Sequence, residues 1–103
     1  MEVSGHLYII REREFLKTKE SIYKVGKSTC IQQRMNSYPK GSRIELIVYI
    51  DNDIHLSEKK LLTELRTTFT QRTDIGAEYF ESDLYTLKKR MCEALLVGNK
   101  LHI

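Results

Sequence analysis

Tryptophan is absent, proline occurs once (Pro39) and cysteine twice, and no apolar run approaches the ~20 residues of a membrane span. A membrane-spanning role is thereby excluded. The lack of internal repeats, linkers and low-complexity segments leaves one compact domain, and 103 residues suffice for one core but not for two. Cys30 and Cys92 have neither a CxxC spacing nor a histidine at ligand distance. This speaks against a disulfide framework and against a zinc site, and leaves either cysteine able to serve as a small core residue. The N-terminus, MEVSGHLYII, shows no basic stretch before its apolar part, so no secretion leader and an intracellular location are expected. No zinc finger, helix-turn-helix or extended basic tail stands out.

What is present is ordinary in bulk and uneven in charge. The chain is 41% hydrophobic and 30% charged, with a net charge of +3. Residues 11–43 carry nine Lys/Arg (Arg11, Arg13, Lys17, Lys19, Lys24, Lys27, Arg34, Lys40, Arg43) against three Glu. Residues 44–86 carry four basic and nine acidic side chains. Lys88, Lys89, Arg90 and Lys100 against Glu93 make the end basic again. A one-sided basic region suits a polyanionic partner, since phosphates are contacted mainly by Lys and Arg. An unevenly charged solvated surface is the plainer explanation.

Local patterning gives the order of elements. HLYIIR (His6–Arg11) reads as a strand, Glu12–Glu20 as a long charged loop, and SIYKVG (Ser21–Gly26) as a second strand closing an antiparallel hairpin. Thr29 with Gln32 has the form of a capping box that opens a helix to about Tyr38, stopped by Pro39 and Gly41. RIELIVYI (Arg43–Ile50) is a strong third strand. Asp51-Asn52-Asp53 supplies the cap of a helix running to about Phe69, and Thr70–Ala77 reads as a loop. Glu78–Phe80 is an extended piece, and Ser82 or Asp83 caps a last helix, about 83–97, with Leu84, Leu87, Met91 and Leu95 along one face. The expectation is an α+β domain, β-β-α-β-α-(β)-α, built on a small three-stranded antiparallel sheet flanked by helices.

Glu58 is the residue out of place. On the helix after Asp53, positions 54, 61, 62, 65 and 69 are Ile, Leu, Leu, Leu and Phe, and they fall on one face. Glu58 lies near the centre of that face. An ionised carboxylate is seldom buried without an ionic or metallic partner, because desolvation is costly. A salt bridge to a nearby Arg or Lys is the simplest answer. Strand alternation puts Tyr8 and Ile10 on one face of the first strand, and Ile22 and Lys24 on one face of the second. If those faces coincide, the ammonium of Lys24 would favour the phenolate of Tyr8 and lower its pKa. Arg34, at the edge of a stripe of Ile31, Met35 and Tyr38, either lays its stem over the core or aims its guanidinium at a phosphate.

Taken together these residues form a series: Tyr8, then Lys24-Val25-Gly26, then Arg34 eight residues after that Gly, then Glu58 on a later helix. The series resembles the GIY-YIG nuclease superfamily, with His6-Leu7-Tyr8 in place of Gly-Ile-Tyr and Lys24-Val25-Gly26 in place of Tyr-Ile-Gly. Glu78-Tyr79-Phe80, and Arg34 to Tyr38 followed by Pro39 and Gly41, are similar to segments of the small phage and large-DNA-virus branch. The resemblance covers about residues 5–82. Three positions depart from the pattern: His6 stands for Gly, Lys24 for Tyr, and Tyr38 where several members have His.

The resemblance implies an endonuclease that hydrolyses phosphodiester bonds in DNA with one Mg²⁺ or Mn²⁺ ion. Glu58 would hold the metal, Tyr8 would act as general base for the attacking water or orient it, and Arg34 would stabilise charge on the phosphate. Lys24 would assist Tyr8, and Gly26 would let the backbone come close. Lys27, Lys40 and Arg43 are candidate nucleic-acid contacts. A homodimer or a partner protein would supply specificity, and a viral source would put the protein in the host cytoplasm or nucleus. Two alternatives remain open: a silent nucleic-acid-binding module of the same fold, and a structural or interaction protein in which Glu58 pairs with Arg34.

Overall fold

The computed structural model describes residues 2–98, and the side chains of residues 2–95. Lys100, counted above in the basic C-terminal stretch, lies outside them. The elements follow in the order β1 (Gly5–Arg11), α1 (Arg13–Thr18), β2 (Ile22–Ser28), α2 (Ile31–Asn36), β3 (Arg43–Ile50), α3 (Ile54–Thr68), β4 (Thr70–Gln71), β5 (Tyr79–Glu81) and α4 (Leu84–Gly98). The strands form one antiparallel sheet in the order β3-β1-β2-β5-β4.

An α+β domain is what the sequence led us to expect, but the sheet has five strands rather than three. Two are very short. Thr70–Gln71, placed in a loop from the sequence, pairs with Phe80 and Glu81. Tyr79–Glu81 in turn pairs with Ile22–Lys24. Strands of two and three residues are held by their neighbours and leave no alternating pattern of their own.

The charged segment after β1 is also more ordered than its composition suggested. α1 buries one side chain, Phe15, and ends at Lys19, whose φ of 59° is left-handed. With a single buried apolar residue, a two-turn helix shows no periodicity. α2 is shorter than expected: its N-cap is Cys30, without a side-chain cap, and the hydroxyl of Ser28 accepts from the Cys30 N–H (2.9 Å). The Thr29/Gln32 capping box does not form.

The caps of the two long helices are as the sequence indicated. The Asp53 carboxylate accepts from His55 and Leu56 N–H (3.1 and 3.2 Å), and that of Asp83 from Thr86 N–H (2.9 Å). After α2 the chain turns at Gly41, at φ +93°, with Ser42 N–H bonded to the Pro39 carbonyl (3.1 Å).

Register divides the sheet into two faces. Leu7, Ile9, Tyr23 and Val25 point to one side, where they meet Ile54, Leu61 and Leu65 of α3, Leu87 and Met91 of α4, and Phe80 of β5. Tyr8, Ile10, Ile22 and Lys24 point to the other side, with Tyr8 opposite Gly26 and Ile10 opposite Lys24. That side is covered by α1 and α2 only in part: Phe15 packs edge-on against Tyr79, and Tyr38 edge-on against Tyr8. β3 is an edge strand with a register shift at Glu45, since Ile9 faces Leu46 while Ile10 faces Ile44. Cys30 and Cys92 are both exposed free thiols, so neither fills the core. Among the described residues no helix is long and apolar enough to cross a membrane.

Phe80 is fully buried although its strand has only three residues. Phe80→Ala should therefore destabilise the domain by about 3–5 kcal/mol, as for other buried aromatics. Urea unfolding should show a lower midpoint with an unchanged slope; an unaltered midpoint would mean that β5 is not part of the core.

Candidate active site

Hairpin pairing of β1 with β2 sets Tyr8 across from Gly26. A Cβ at Gly26 would lie 2.5 Å from the Tyr8 hydroxyl and 2.6 Å from its ring, so the phenol crosses the hairpin over a residue that has no room for a side chain. Tyr38, arriving from the end of α2, shares a 2.6 Å hydrogen bond with the Tyr8 hydroxyl. Lys24 lies on the same face, its Nζ 5.3 Å from the centre of the Tyr38 ring and 5.8 Å from that of Tyr79. The Tyr79 hydroxyl donates to the Glu12 carboxylate. These groups form a band of aromatic hydroxyls, one ammonium and one carboxylate.

Lys24 does not lower the Tyr8 pKa on balance. Burial and the Tyr38 hydrogen bond push the phenol well above its ordinary value, and the opposing pull of Lys24 and Arg34 is smaller. Desolvation of a fully buried ring outweighs two cations near its rim. Burial likewise raises Tyr38 and Tyr79, the latter further through its bond to Glu12. Tyr8 is accordingly a neutral hydroxyl at neutral pH.

Glu58 is buried, 7% exposed, and it has a partner: the Nζ of Lys27 lies 3.2 Å from its Oε1. The ion pair with Arg34 considered from the sequence is not formed. Alternation explains why: Lys27 is two residues beyond Val25, so it emerges on the face that α3 covers. Arg34 is exposed on α2 beside Tyr8, bordering a polar hollow of about 300 Å³ with Ser28, Thr29 and Ser37. A roomier hollow, about 790 Å³, lies between α3 and α4 and shares none of these residues.

Glu78 links the two halves. It precedes β5, and its carbonyl accepts from the Val25 N–H (3.0 Å). Its carboxyl is raised above the usual range first by burial and then by the charge of Glu58, while Lys24, Lys27 and Arg34 pull it down. Lys24, Arg34 and Glu58 thus all act on the Glu78 carboxyl, and Lys24 and Arg34 act on the Tyr8 phenol as well. Lys40 and Arg43 are exposed, and Arg43 lies 3.7 Å from Glu45. Sequence reasoning did not assign Glu78, Glu12 or the Lys27–Glu58 pair to the site; the period-2 position of Lys27 opposite a buried acid was the available signal for the last.

A model of the T5orf172 domain family matches residues 5–95. The chain belongs to the T5orf172 domain family. No curated protein and no solved structure matches the chain. The T5orf172 match runs from β1 into α4 and contains Tyr8, Lys24, Arg34, Glu58 and Glu78.

Two outcomes are expected from this geometry. Gly26→Ala should cost about 1–3 kcal/mol by forcing the Tyr8 ring aside, read as a lower urea midpoint that Tyr8→Ala, made in the same chain, largely relieves. In ultraviolet titration, Tyr8, Tyr38 and Tyr79 should stay protonated through the pH range in which exposed phenols ionise. Because their folded pKa values are raised, the stability is complete below the ordinary phenol pKa and is lost as pH rises beyond it. Six tyrosines titrating together near pH ~10 would contradict the buried cluster.

Proposed function

We propose that this T5orf172 domain hydrolyses phosphodiester bonds in DNA in the manner of a GIY-YIG nuclease, with one divalent cation. Its main support is that Lys24 and Arg34 lie near both the Tyr8 phenol and the Glu78 carboxyl and Glu58 near the latter, Tyr8, Lys24, Arg34 and Glu58 being the residues to which the resemblance gives catalytic roles. T5orf172 domains are phage-associated and often linked to nucleases.

The residues present suit Mg²⁺ or Mn²⁺. Such ions take one or two carboxylates and keep several waters, and Glu58 already has a cation beside it in the Lys27 ammonium. Among the described residues no three His, Cys, Asp or Glu side chains group as a metal cage, so Glu58 would carry the ion together with water. When bound, the ion would stabilise the leaving oxygen and the charge on the phosphate.

The chain's own groups would do the rest. Arg34, exposed beside the polar hollow, would take a phosphate oxygen by its guanidinium fork. Lys24, held over two rings, would add positive charge to the same phosphate. Tyr8, kept neutral by burial, would orient water through its hydroxyl, with Tyr38 able to accept or donate a proton along the 2.6 Å bond. A phenolate base is the less suitable role for it.

The experiment is nicking of supercoiled plasmid with Mg²⁺, with Mn²⁺ and with EDTA. Glu58→Ala and Arg34→Ala should each reduce cutting by about 10²-fold or more. Lys27→Met should lower the metal concentration needed for half-maximal cutting, because the competing ammonium is gone. Equal cutting by wild type and Glu58→Ala rules the reading out. The Lys27–Glu58 pair favours one competitor, a binding module that has lost the chemistry; it predicts no cutting by any variant and salt-sensitive DNA binding indifferent to Glu58→Ala.

A further inference from the structure

The face of the sheet that carries Tyr8 is open over β3. Ile44, Ile47 and Tyr49 project from it and are 48%, 40% and 60% exposed. They stand opposite Ile10, Tyr8 and His6 in the register. His6 leans against Tyr49, with ring centres 5.3 Å apart and ring planes inclined by 59°. Three large apolar side chains in a row on one edge strand exceed the scattered exposure of an ordinary surface. The charges around them are selective. β1 and β2 place no acidic side chain on this face, and the one acid of β3, Glu45, is only 8% exposed with Arg43 beside it. The Glu12 carboxylate, at the Tyr79 side of the face, is engaged by the Tyr79 hydroxyl, and the cations of the face are Lys24 and Arg34.

We propose that Tyr49, with His6 and Ile47 at its side, is a stacking platform for an unpaired nucleobase of a strand whose phosphate lies at Arg34. Stacking on an exposed aromatic is the way proteins hold bases that no partner strand shields, and it tolerates any sequence because every base has a π-face. The geometry has the right scale. Tyr49 pairs with His6 and His6 with Ser28, which lines the polar hollow bordered by Arg34 two strands, about 10 Å, away, a distance that one or two nucleotides can span. The face thus pairs a cationic end for the backbone with an aromatic end for the base. The substrate class that follows is nucleic acid with single-stranded character: a flap, a gap or a free strand rather than intact duplex. This rests on the nucleic-acid reading of the same sheet face, but not on catalysis.

The test is fluorescence anisotropy in EDTA, with a labelled single-stranded oligodeoxynucleotide and the blunt duplex of the same sequence. Tyr49→Ala should weaken single-strand binding about tenfold, leaving duplex binding and the salt dependence of both unchanged, since no phosphate contact is lost. Tyr49→Phe should bind as wild type. Equal weakening on both probes, no weakening on either, or a Phe variant as weak as the Ala variant overturns the platform. So does a wild-type dimer in sedimentation equilibrium that Tyr49→Ala converts to monomer, which would make the strip a contact between copies. Because EDTA excludes cutting, Tyr49-dependent single-strand binding can stand even where the plasmid assay rules out the nuclease.

Discussion

The phenol of Tyr8 crosses the β1–β2 hairpin directly over Gly26, and this contact fixes where every other group at the site can be. It brings the hydroxyl within reach of Tyr38, which anchors the end of α2 and with it Arg34. It also leaves the Lys24 stem running along the same face, between the rings of Tyr38 and Tyr79. A single missing side chain therefore organises a tyrosine, a lysine and a short helix that buries none of its own residues. α2 has little apolar surface to hold it, so contacts of Tyr38 and the turn at Gly41 carry its placement.

The same contact explains why the electrostatics differ from a simple pairing of phenol and ammonium. A ring close enough to Gly26 to exclude a methyl group is also excluded from water, and desolvation favours the neutral hydroxyl more than Lys24 and Arg34 favour its anion. On the other side of the sheet Glu58 faces the opposite problem, a charge inside an apolar stripe, and Lys27 answers it. Glu78, at the sheet end, feels both groups. Glu58 and Glu78 are like charges, and Lys27, Lys24 and Arg34 offset their repulsion.

Much of this was legible in the sequence, and the misses have causes. The three long strands, the Asp53 and Asp83 caps and the buried position of Glu58 each left a period or a cap that local rules detect. Alternation left the shared face of Tyr8 and Lys24 as one of two choices, and the β1–β2 register makes it. β5 was foreseen one residue early, as the extended piece Glu78–Phe80, but β4 did not show, because two residues pinned by a neighbouring strand have no period. α1 did not show, because Phe15 alone does its packing. A salt bridge from Glu58 to an Arg or Lys was foreseen from its buried position, but Arg34 was the one named for it, whereas sheet alternation puts Lys27 there. Cys30 and Cys92 gave no signal of exposure, since a lone cysteine is compatible with either environment.

The register shift at Glu45 has a consequence for how so apolar an edge strand stays in solution. An unpaired, flat strand of alternating Ile, Leu and Val is a template on which further chains can add backbone to backbone. The extra residue at Glu45 breaks the register near the start of β3, so Arg43–Ile44 and Leu46–Ile50 cannot both align with one incoming strand. The strand can therefore offer its side chains to a visitor while its backbone refuses to grow a fibril.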